Sequence, residues 1–175
     1  MPYINKLKME GYIAKYLSPL GEMTLAANGK SLTGLWFDGQ KYFGSTLPET
    51  YMEKDLPVFR QTVEWLERYF NGEKPGTLPD ISLNDTPFRL EVWKILLEIP
   101  YGQVTTYKEI ARRLASLRGT AHLAAQAVGG AVGHNPISIL IPCHRVTGSN
   151  GDLTGYAGGL WRKEKLLELE STLRI

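Results

Sequence analysis

The chain has 175 residues and a net charge of +2; hydrophobic residues make up 43% of it and charged residues 22%. This length suits one domain of ordinary size or two small ones, and the composition is that of a globular protein with a core. No apolar run approaches the ~20 residues that cross a bilayer, and the first residues lack the apolar stretch of a signal peptide. A membrane protein is therefore excluded, and we expect a cytoplasmic location.

Cysteine and histidine are scarce in this sequence. The one cysteine cannot form an internal disulfide, a dithiol redox pair or a cysteine-rich zinc site. The three histidines, His122, His134 and His144, are not at a usual metal-binding spacing. The sequence therefore predicts no bound metal.

The charge is unevenly distributed along the chain. Residues 1–85 hold 9 basic and 11 acidic side chains, whereas residues 86–175 hold 11 and 7. No carboxylate side chain occurs from Ile110 to Gly151, a stretch that contains four arginines: Arg112, Arg113, Arg118 and Arg145. A stretch with only positive charge suits a polyanion such as nucleic acid, although a solvated face has the same pattern.

The first half has the pattern of strands followed by one helix. Strands are predicted over residues 11–16, 23–27 and 32–37, with turns at residues 18–21 and at Asn28-Gly29. A polar loop follows, to about residue 55. Four apolar residues at helical spacing then predict a helix that ends at Asn71-Gly72: Phe59, Val63, Leu66 and Phe70. Residues 74–85 lack periodicity and predict a linker. We interpret this half as a structural α+β domain.

The second half is mainly helical. Thr86 is predicted to cap a first helix that has Pro87 in its first turn, and Thr105 or Thr106 to cap a second. A third helix is predicted over residues 121–131, a strand over residues 137–141 and a last helix over residues 160–171. The second and third helices resemble a helix-turn-helix. The third has almost no bulky side chains, which is compatible with tight packing on a neighbouring helix or with insertion into a DNA groove.

Cys143 follows an apolar run and directly precedes His144. A lone cysteine in such a place is often a buried small hydrophobe, but a nearby histidine can convert a thiol into the reactive thiolate. Adjacent side chains of a regular strand point to opposite faces. The two groups can therefore work together only if the chain turns sharply at Pro142–Cys143 or if a water links them. A catalytic and a structural cysteine both remain open at this point.

Two other polar residues are candidates for the same site. Four residues of the last helix share one face: Lys163, Leu166, Leu167 and Glu170. A buried carboxylate needs a partner, and His144 is a candidate because a carboxylate fixes the imidazole tautomer and raises its basicity. An arginine or Lys163 is the alternative partner. Asn135 precedes a proline and marks a turn, where its amide could hydrogen-bond across the chain or be an ordinary turn residue.

Around these residues the sequence resembles the O6-alkylguanine-DNA alkyltransferases, also called methylated-DNA–protein-cysteine methyltransferases, over nearly its whole length. The matching segments are Pro-Cys-His-Arg-Val at residues 142–146, residues 127–131, Asn135-Pro136, residues 99–102 with Tyr107, residues 155–160 and, in the first half, residues 18–21 and 34–37.

The resemblance implies an α+β fold with a ribonuclease-H-like domain in residues 1–80, built on an antiparallel sheet, and a winged-helix-like DNA-binding domain in residues 81–175. It implies direct repair of double-stranded DNA, in which a methyl or other alkyl group passes from guanine O6 to Cys143. O4-alkylthymine is a further expected substrate. Water does not open a thioether and the chain has no second thiol, so the protein would be consumed in a suicide reaction. We expect it to act as a monomer and to need no cofactor.

The resemblance also assigns roles to single residues. Cys143 matches the nucleophile, His144 the histidine that deprotonates it through a water, and Glu170 the carboxylate behind that histidine. Asn135 matches the asparagine that supports the active-site turn, and Tyr107 the tyrosine that hydrogen-bonds guanine N3. The expected substrate pocket adds the carbonyl of Val146, the backbone of Tyr156 and Ala157, and Gly158 and Val132 beside the alkyl group.

The third helix is expected to enter the minor groove while the target base is flipped out. The expected DNA-binding residues are Thr106, Lys108, Arg118, Ala125, Gln126, Gly129 and Ser149. Gln126 departs from the family, which usually has an arginine that enters the base stack at this position. The segment from Tyr107 to Gln126 is also longer than usual, and Arg118 in it is expected to supply a compensating phosphate contact.

Two other classes of function remain open. A thiol hydrolase that uses Cys143 and His144 with turnover would show a catalytic burst and recover its free thiol. A DNA-binding module that recognises alkylated bases without repairing them is the second alternative. Cys143 argues against this module, whereas Gln126 is compatible with it.

Overall fold

The computed structural model describes residues 10–171. The first half forms a four-stranded sheet in the order β3-β2-β1-β4, with β1 (Gly11–Ser18), β2 (Gly21–Ala27) and β3 (Leu32–Phe37) antiparallel. These three strands were predicted. The edge strand β4 (Tyr51–Glu53) pairs parallel with β1 and falls in the predicted polar loop. Its three residues are all exposed, so no alternation of apolar and polar residues predicts it.

Helix α1 (Pro57–Phe70) packs on this sheet through a buried stripe and ends at Asn71, whose backbone N–H donates to the carbonyl of Glu67.

The segment predicted as a linker, residues 74–85, is hydrogen-bonded to the sheet. The N–H of Leu32 donates to the Asp80 carbonyl at 2.7 Å, and the N–H of Ser82 donates to the Leu32 carbonyl at 2.9 Å. Two backbone hydrogen bonds therefore anchor this segment to β3.

The second half contains the remaining helices. They are α2 (Pro87–Leu97), α3 (Tyr107–Arg118), α4 (Ala125–Gly133) and α5 (Leu160–Ser171), with a short parallel pair of β5 (Thr105–Thr106) and β6 (Val146–Thr147). The side chain of Thr106, not that of Thr105, caps α3 by accepting from the Glu109 N–H at 3.1 Å. Helix α4 begins four residues later than predicted. None of the helices within residues 10–171 is long and apolar enough to cross a membrane.

The small residues of α4 serve two surfaces. Val128, Ala131 and Val132 are buried against the neighbouring helices, and the indole of Trp93 in α2 donates to the Ala131 carbonyl at 2.8 Å. Gln126, Ala127 and Gly130 are exposed to solvent. Tight helix packing and an open, low-relief face therefore coexist on one helix.

The strand predicted over residues 137–141 is wrong. Only Ile137 pairs, through one bridge to Leu35 of β3, and the chain then turns at Ile139, which has a φ of 70°. The N–H of Ile141 donates back to the Ile137 carbonyl at 3.1 Å. The run is buried between the two halves of the protein, and a short apolar run does not by itself distinguish a strand from another buried segment.

Candidate active site

A pocket of about 340 Å³ lies where the two halves meet. Its lining comes from the loop after β3, α3, α4 and the loop before α5: Lys41, Tyr42, Tyr107, Gly129, Gly130, Val132, Gly133, His134, Cys143, Gly155, Tyr156 and Ala157. Cys143 is 6% exposed and is the one thiol of the chain. The pocket therefore gives a small molecule access to a cysteine.

Cys143 is held on a tight turn. Residues Cys143–Arg145 form one turn of 3₁₀ helix, in which the Arg145 N–H donates to the Pro142 carbonyl at 3.0 Å. Of the two arrangements considered from sequence, the structure has the sharp turn. The turn lets Cys143 face the pocket while His144 is completely buried behind it.

The amide of Asn135 braces the segment that leads into the Cys143 turn. Its Nδ2 donates to the Ile141 carbonyl at 2.8 Å, and its Oδ1 accepts from the Ile137 N–H at 2.9 Å. The side chain thereby bridges both ends of the turn at Ile139, as the sequence position suggested.

Burial raises the pKa of the Cys143 thiol, an effect that the Asn135 side chain and the charge of Lys163 oppose. The thiol therefore stays protonated at neutral pH, and it can serve as a nucleophile only if a base accepts its proton. Burial also lowers the pKa of His144, and although Glu170 acts against this, Arg145 and Lys163 lower it further. His144 is therefore uncharged at neutral pH and able to accept a proton.

The geometry defines which nitrogen of His144 is basic. Nε2 lies 3.0 Å from Glu170 Oε1, and because an ionised carboxylate only accepts, Nε2 carries the proton. Nδ1 is buried and has no hydrogen-bond partner within residues 10–171. Its lone pair is the one available to take a proton.

Glu170 is a shared acceptor. Besides His144, Arg145 donates to it through Nε at 3.1 Å to both oxygens and through a terminal nitrogen at 2.6 Å to Oε1. Burial would raise the pKa of Glu170, but the hydrogen bonds from His144 and Arg145 lower it to about 2. The two partners weighed from sequence, a histidine and an arginine, are thus both present, and Lys163 is not among them.

Lys163 lies at the site in a role that the sequence did not indicate, since the sequence offered it only as an alternative partner of Glu170. It is completely buried on α5, and its Nζ donates to the carbonyls of Thr154 and Gly155 at 3.2 and 3.1 Å and lies 3.5 Å from the Tyr107 hydroxyl. Burial lowers the pKa of Lys163 to about 8. The Tyr107 hydroxyl donates to the Thr154 carbonyl at 2.9 Å. A lysine on the apolar face of the last helix was the available indication.

Two of the residues expected in the pocket do not line it. Gly158 is buried, and a Cβ there would lie 2.9 Å from the Tyr156 ring and 3.1 Å from the Phe37 ring. Its missing side chain therefore makes room for Tyr156, and Gly155 lines the pocket instead. Val146 is buried in β6 outside the lining. Val132, Tyr156 and Ala157 do line the pocket.

The rim of the pocket includes residues that the sequence did not indicate. The ring of Tyr42, at a φ of 61°, stacks on His134 with centroids 4.0 Å apart, and the Lys41 N–H donates to the Ala157 carbonyl at 3.2 Å. These contacts join the loop after β3 to α4 and to the loop before α5. No local motif predicts them, because they form between segments distant in sequence.

The expected DNA-binding residues divide into two groups. Lys108, Gln126 and Ser149 are exposed, whereas Thr106, Ala125 and Gly129 are half-buried, and Thr106 is engaged in capping α3.

No group of three or more metal-binding side chains within residues 10–171 is arranged to hold a metal ion.

The carboxylate-free stretch is not a free positive surface. Each of its four arginines pairs with a glutamate from elsewhere: Arg112 with Glu109, Arg113 with Glu98, Arg118 with Glu91 and Arg145 with Glu170. Arg118 is the last residue of α3, and its guanidinium also lies 5.2 Å from the Phe88 ring centroid. The expected phosphate contact of Arg118 is therefore not supported, because its guanidinium already contacts two residues of α2, Glu91 and Phe88.

Replacing Arg118 with alanine should lower stability slightly without weakening DNA binding. The partly exposed pair with Glu91 contributes about 1 kcal/mol or less. Denaturant unfolding of Arg118→Ala, Glu91→Ala and the double variant measures the pair, and a salt series measures DNA affinity. A drop in affinity with a shallower salt dependence would instead restore the phosphate contact.

The sheet half, the helical half and the pocket cysteine between them define an α+β protein with a thiol site at the junction. Residues 87–172 match the family model for the DNA-binding domain of 6-O-methylguanine DNA methyltransferase. Residues 12–79 match the family model for the ribonuclease-like domain of 6-O-methylguanine DNA methyltransferase. The chain belongs to this family, the methylated-DNA–protein-cysteine methyltransferases, and has its ribonuclease-like and DNA-binding parts.

Individual relatives agree with the family models. The chain is 46% identical over 155 residues to the methylated-DNA–protein-cysteine methyltransferase of Mycobacterium tuberculosis, a match that covers 89% of each protein. It is 41% identical over 161 residues to that of Haemophilus influenzae, with 91% of this chain and 86% of the relative covered. The crystal structure of Mycobacterium tuberculosis OGT in complex with DNA has a TM-score of 0.77 at 43% identity, with 93% of both chains covered.

Proposed function

We propose that this protein repairs double-stranded DNA by moving the alkyl group of O6-alkylguanine to Cys143, one group per protein molecule. The observation that carries the proposal is the pocket cysteine with a buried His144–Glu170 pair directly behind it. Family membership supports the reaction class. In the displacement a bond forms between Sγ and the alkyl carbon, and the bond from that carbon to O6 breaks and leaves its electron pair on the guanine.

The thiol proton leaves through His144. The Nδ1 lone pair of His144 accepts it through a water, while Nε2 continues to donate to Glu170. The imidazolium that forms is stabilised by the carboxylate, which Arg145 holds in place. Asn135 keeps the turn rigid, so that Sγ stays aligned with the pocket.

The departing guanine needs stabilisation of its developing negative charge. Tyr107 lines the pocket, and its hydroxyl can exchange the Thr154 carbonyl for guanine N3 as acceptor. Lys163 lies beside that hydroxyl and strengthens it as a donor. Donors aimed at charge that develops in the transition state are an efficient catalytic device. The carbonyl of Cys143 is proposed to accept from the exocyclic amine, and the backbone of Tyr156 and Ala157 to face O6.

The target base reaches this pocket by leaving the helix stack. The exposed small-residue face of α4 is proposed to lie in the minor groove, where Gln126 occupies the space of the flipped nucleotide. Lys108 and Ser149 are exposed and available to phosphates. We further propose that the two functional units span residues 1–80 and 81–175, that the protein acts as a monomer, and that O4-alkylthymine is a second substrate.

Stoichiometry tests this proposal against its rivals. With lesion-containing duplex in excess, repaired lesions should reach a plateau at one per protein molecule, and the titratable thiol should disappear in parallel. Continued turnover with recovery of the thiol would indicate the hydrolase. Tight binding of the lesion with no repair and an intact thiol would indicate the recognition module.

Replacing Gln126 with arginine should strengthen DNA binding several-fold and steepen its salt dependence by about one counterion. The exposed position on α4 gives the new guanidinium access to the groove and phosphates. Fluorescence anisotropy over a salt series provides the measurement. Gln61→Arg on the distant helix α1 carries the same charge change and is the matched control. An equal gain in both variants would show a general charge effect and contradict the placement of α4 on DNA.

A further inference from the structure

The hydroxyl of Tyr69 reaches Glu170 from the other half of the protein. Tyr69 is the next-to-last residue of α1, within the part that matches the ribonuclease-like family model. Its hydroxyl donates to Glu170 Oε1 at 3.2 Å, and both side chains are buried. The first half therefore contributes a hydrogen bond to the carboxylate behind His144.

The position of this hydroxyl is fixed by ring packing. The Tyr69 ring stacks on Trp65 with centroids 5.5 Å apart, and it meets the rings of Tyr101 and His144 edge-on at 6.1 and 6.5 Å. Burial and the charge of Glu170 raise the pKa of Tyr69 far above its usual value. The hydroxyl thus stays protonated and acts only as a donor toward the carboxylate.

Oε1 of Glu170 divides its hydrogen bonding among three side chains. His144 Nε2 lies at 3.0 Å, a terminal nitrogen of Arg145 at 2.6 Å and the Tyr69 hydroxyl at 3.2 Å. Each additional donor reduces the negative charge that the oxygen offers to the imidazole. The strength of the His144–Glu170 bond therefore depends on Tyr69.

We propose that Tyr69 is a positioning residue for the methyl transfer: by sharing Glu170 Oε1 with His144, it orients the carboxylate and limits the basicity of the imidazole. This contact adds to burial and to the charges of Arg145 and Lys163, which already disfavour the imidazolium. The inference rests on the proposed function in that His144 is taken as the base for Cys143.

The other ionisable groups around His144 and Glu170 remain the same when the Tyr69 hydroxyl is removed. Arg145 and Lys163 are cations that disfavour the imidazolium, while Tyr101, Tyr156 and the Cys143 thiol are buried groups that stay uncharged at neutral pH because burial raises their pKa. A change in His144 after Tyr69→Phe therefore reports the lost hydrogen bond.

The chain offers a matched control for this test. Tyr101 belongs to the same ring cluster, and its buried hydroxyl has no hydrogen-bond partner within residues 10–171. Tyr69→Phe and Tyr101→Phe each remove one buried hydroxyl and keep the ring. The titration of His144 is followed by NMR in the free proteins, and the single-turnover transfer rate is followed from pH 5 to pH 8.5.

In Tyr69→Phe we expect the His144 midpoint to rise by about 0.5 pH units, because the imidazole experiences only a fraction of the hydrogen bond that the carboxylate loses. The acid limb of the transfer rate should move by the same amount, with the rate at pH 8.5 changed less than twofold. Tyr101→Phe should match the native protein in both measurements. In a Glu170→Gln background, Tyr69→Phe should give no further shift.

An unchanged His144 midpoint in Tyr69→Phe would overturn the proposal, as would an equal rise in Tyr101→Phe. A rate lowered by the same factor at every pH would assign Tyr69 a structural role only and would also overturn it. If the native protein transfers no methyl group, the proposed function fails. The NMR titration, which needs no substrate, still decides whether Tyr69 acts on His144.

Discussion

Replacement of Cys143 by serine should abolish alkyl transfer and leave DNA binding intact. The serine hydroxyl fits the turn, but it is far harder to deprotonate than a thiol and is a weaker nucleophile toward carbon. We expect the single-turnover rate to fall below about one thousandth of the native value, the scale of nucleophile removal in other enzymes. Loss of O6-methylguanine from a duplex measures the rate, and fluorescence anisotropy measures affinity.

The melting temperature of Cys143→Ser controls for folding, since Cys143 is nearly fully buried. Affinity for the lesion-containing duplex should change less than threefold. Transfer at a rate close to native in Cys143→Ser would rule out this cysteine as the nucleophile.

Replacement of Arg145 by methionine should be the most destabilising change at the site. Methionine keeps much of the side-chain volume but leaves the buried carboxylate of Glu170 without its cation. Removing one partner of a buried ion pair costs about 3–5 kcal/mol. Urea unfolding at pH 7 measures the loss, and Arg145→Met/Glu170→Gln is the control that removes both charges and should regain much of the stability.

This loss should depend on pH in a defined direction. The folded-state pKa of Glu170, about 2, lies below the ordinary value for glutamate, about 4.3. Its ionised form therefore contributes stability above pH 4.3, and this contribution disappears as the pH falls toward 2. Without Arg145 the folded-state pKa rises, so the difference between variant and native protein should be largest at neutral pH and smaller near pH 3. A difference that is independent of pH would contradict this assignment of the pair.

Local sequence patterns were sufficient to predict those parts of the fold that short stretches of sequence determine. The hairpins of the first half follow from turn residues between apolar runs, and α5 follows from its helical periodicity, which also placed Glu170 on the buried face. Residues 137–141 failed as a strand because an apolar run records burial and not backbone conformation. The positive φ at Ile139, in a β-branched residue, has no local indication.

The position of Cys143 and His144 at the site was predictable from the sequence, whereas most of their surroundings were not. The adjacency of Cys143 and His144 could be read directly, whereas Tyr69 reaches Glu170 across 101 positions of sequence. The apparent positive stretch illustrates the same limit. Three of its four arginines pair with glutamates that are distant in sequence, namely Glu98, Glu91 and Glu170, and only the packing of the helices brings these charges together.

Intact mass of the protein before and after incubation with a duplex that carries one O6-methylguanine shows whether Cys143 takes up the alkyl group. We expect a gain of one methyl group that stops at one per protein molecule, and peptide mapping should place it on the peptide that contains Cys143. No gain in mass while the thiol remains titratable and the duplex remains bound would contradict this expectation. A methyl group on any other residue would contradict the assignment of Cys143.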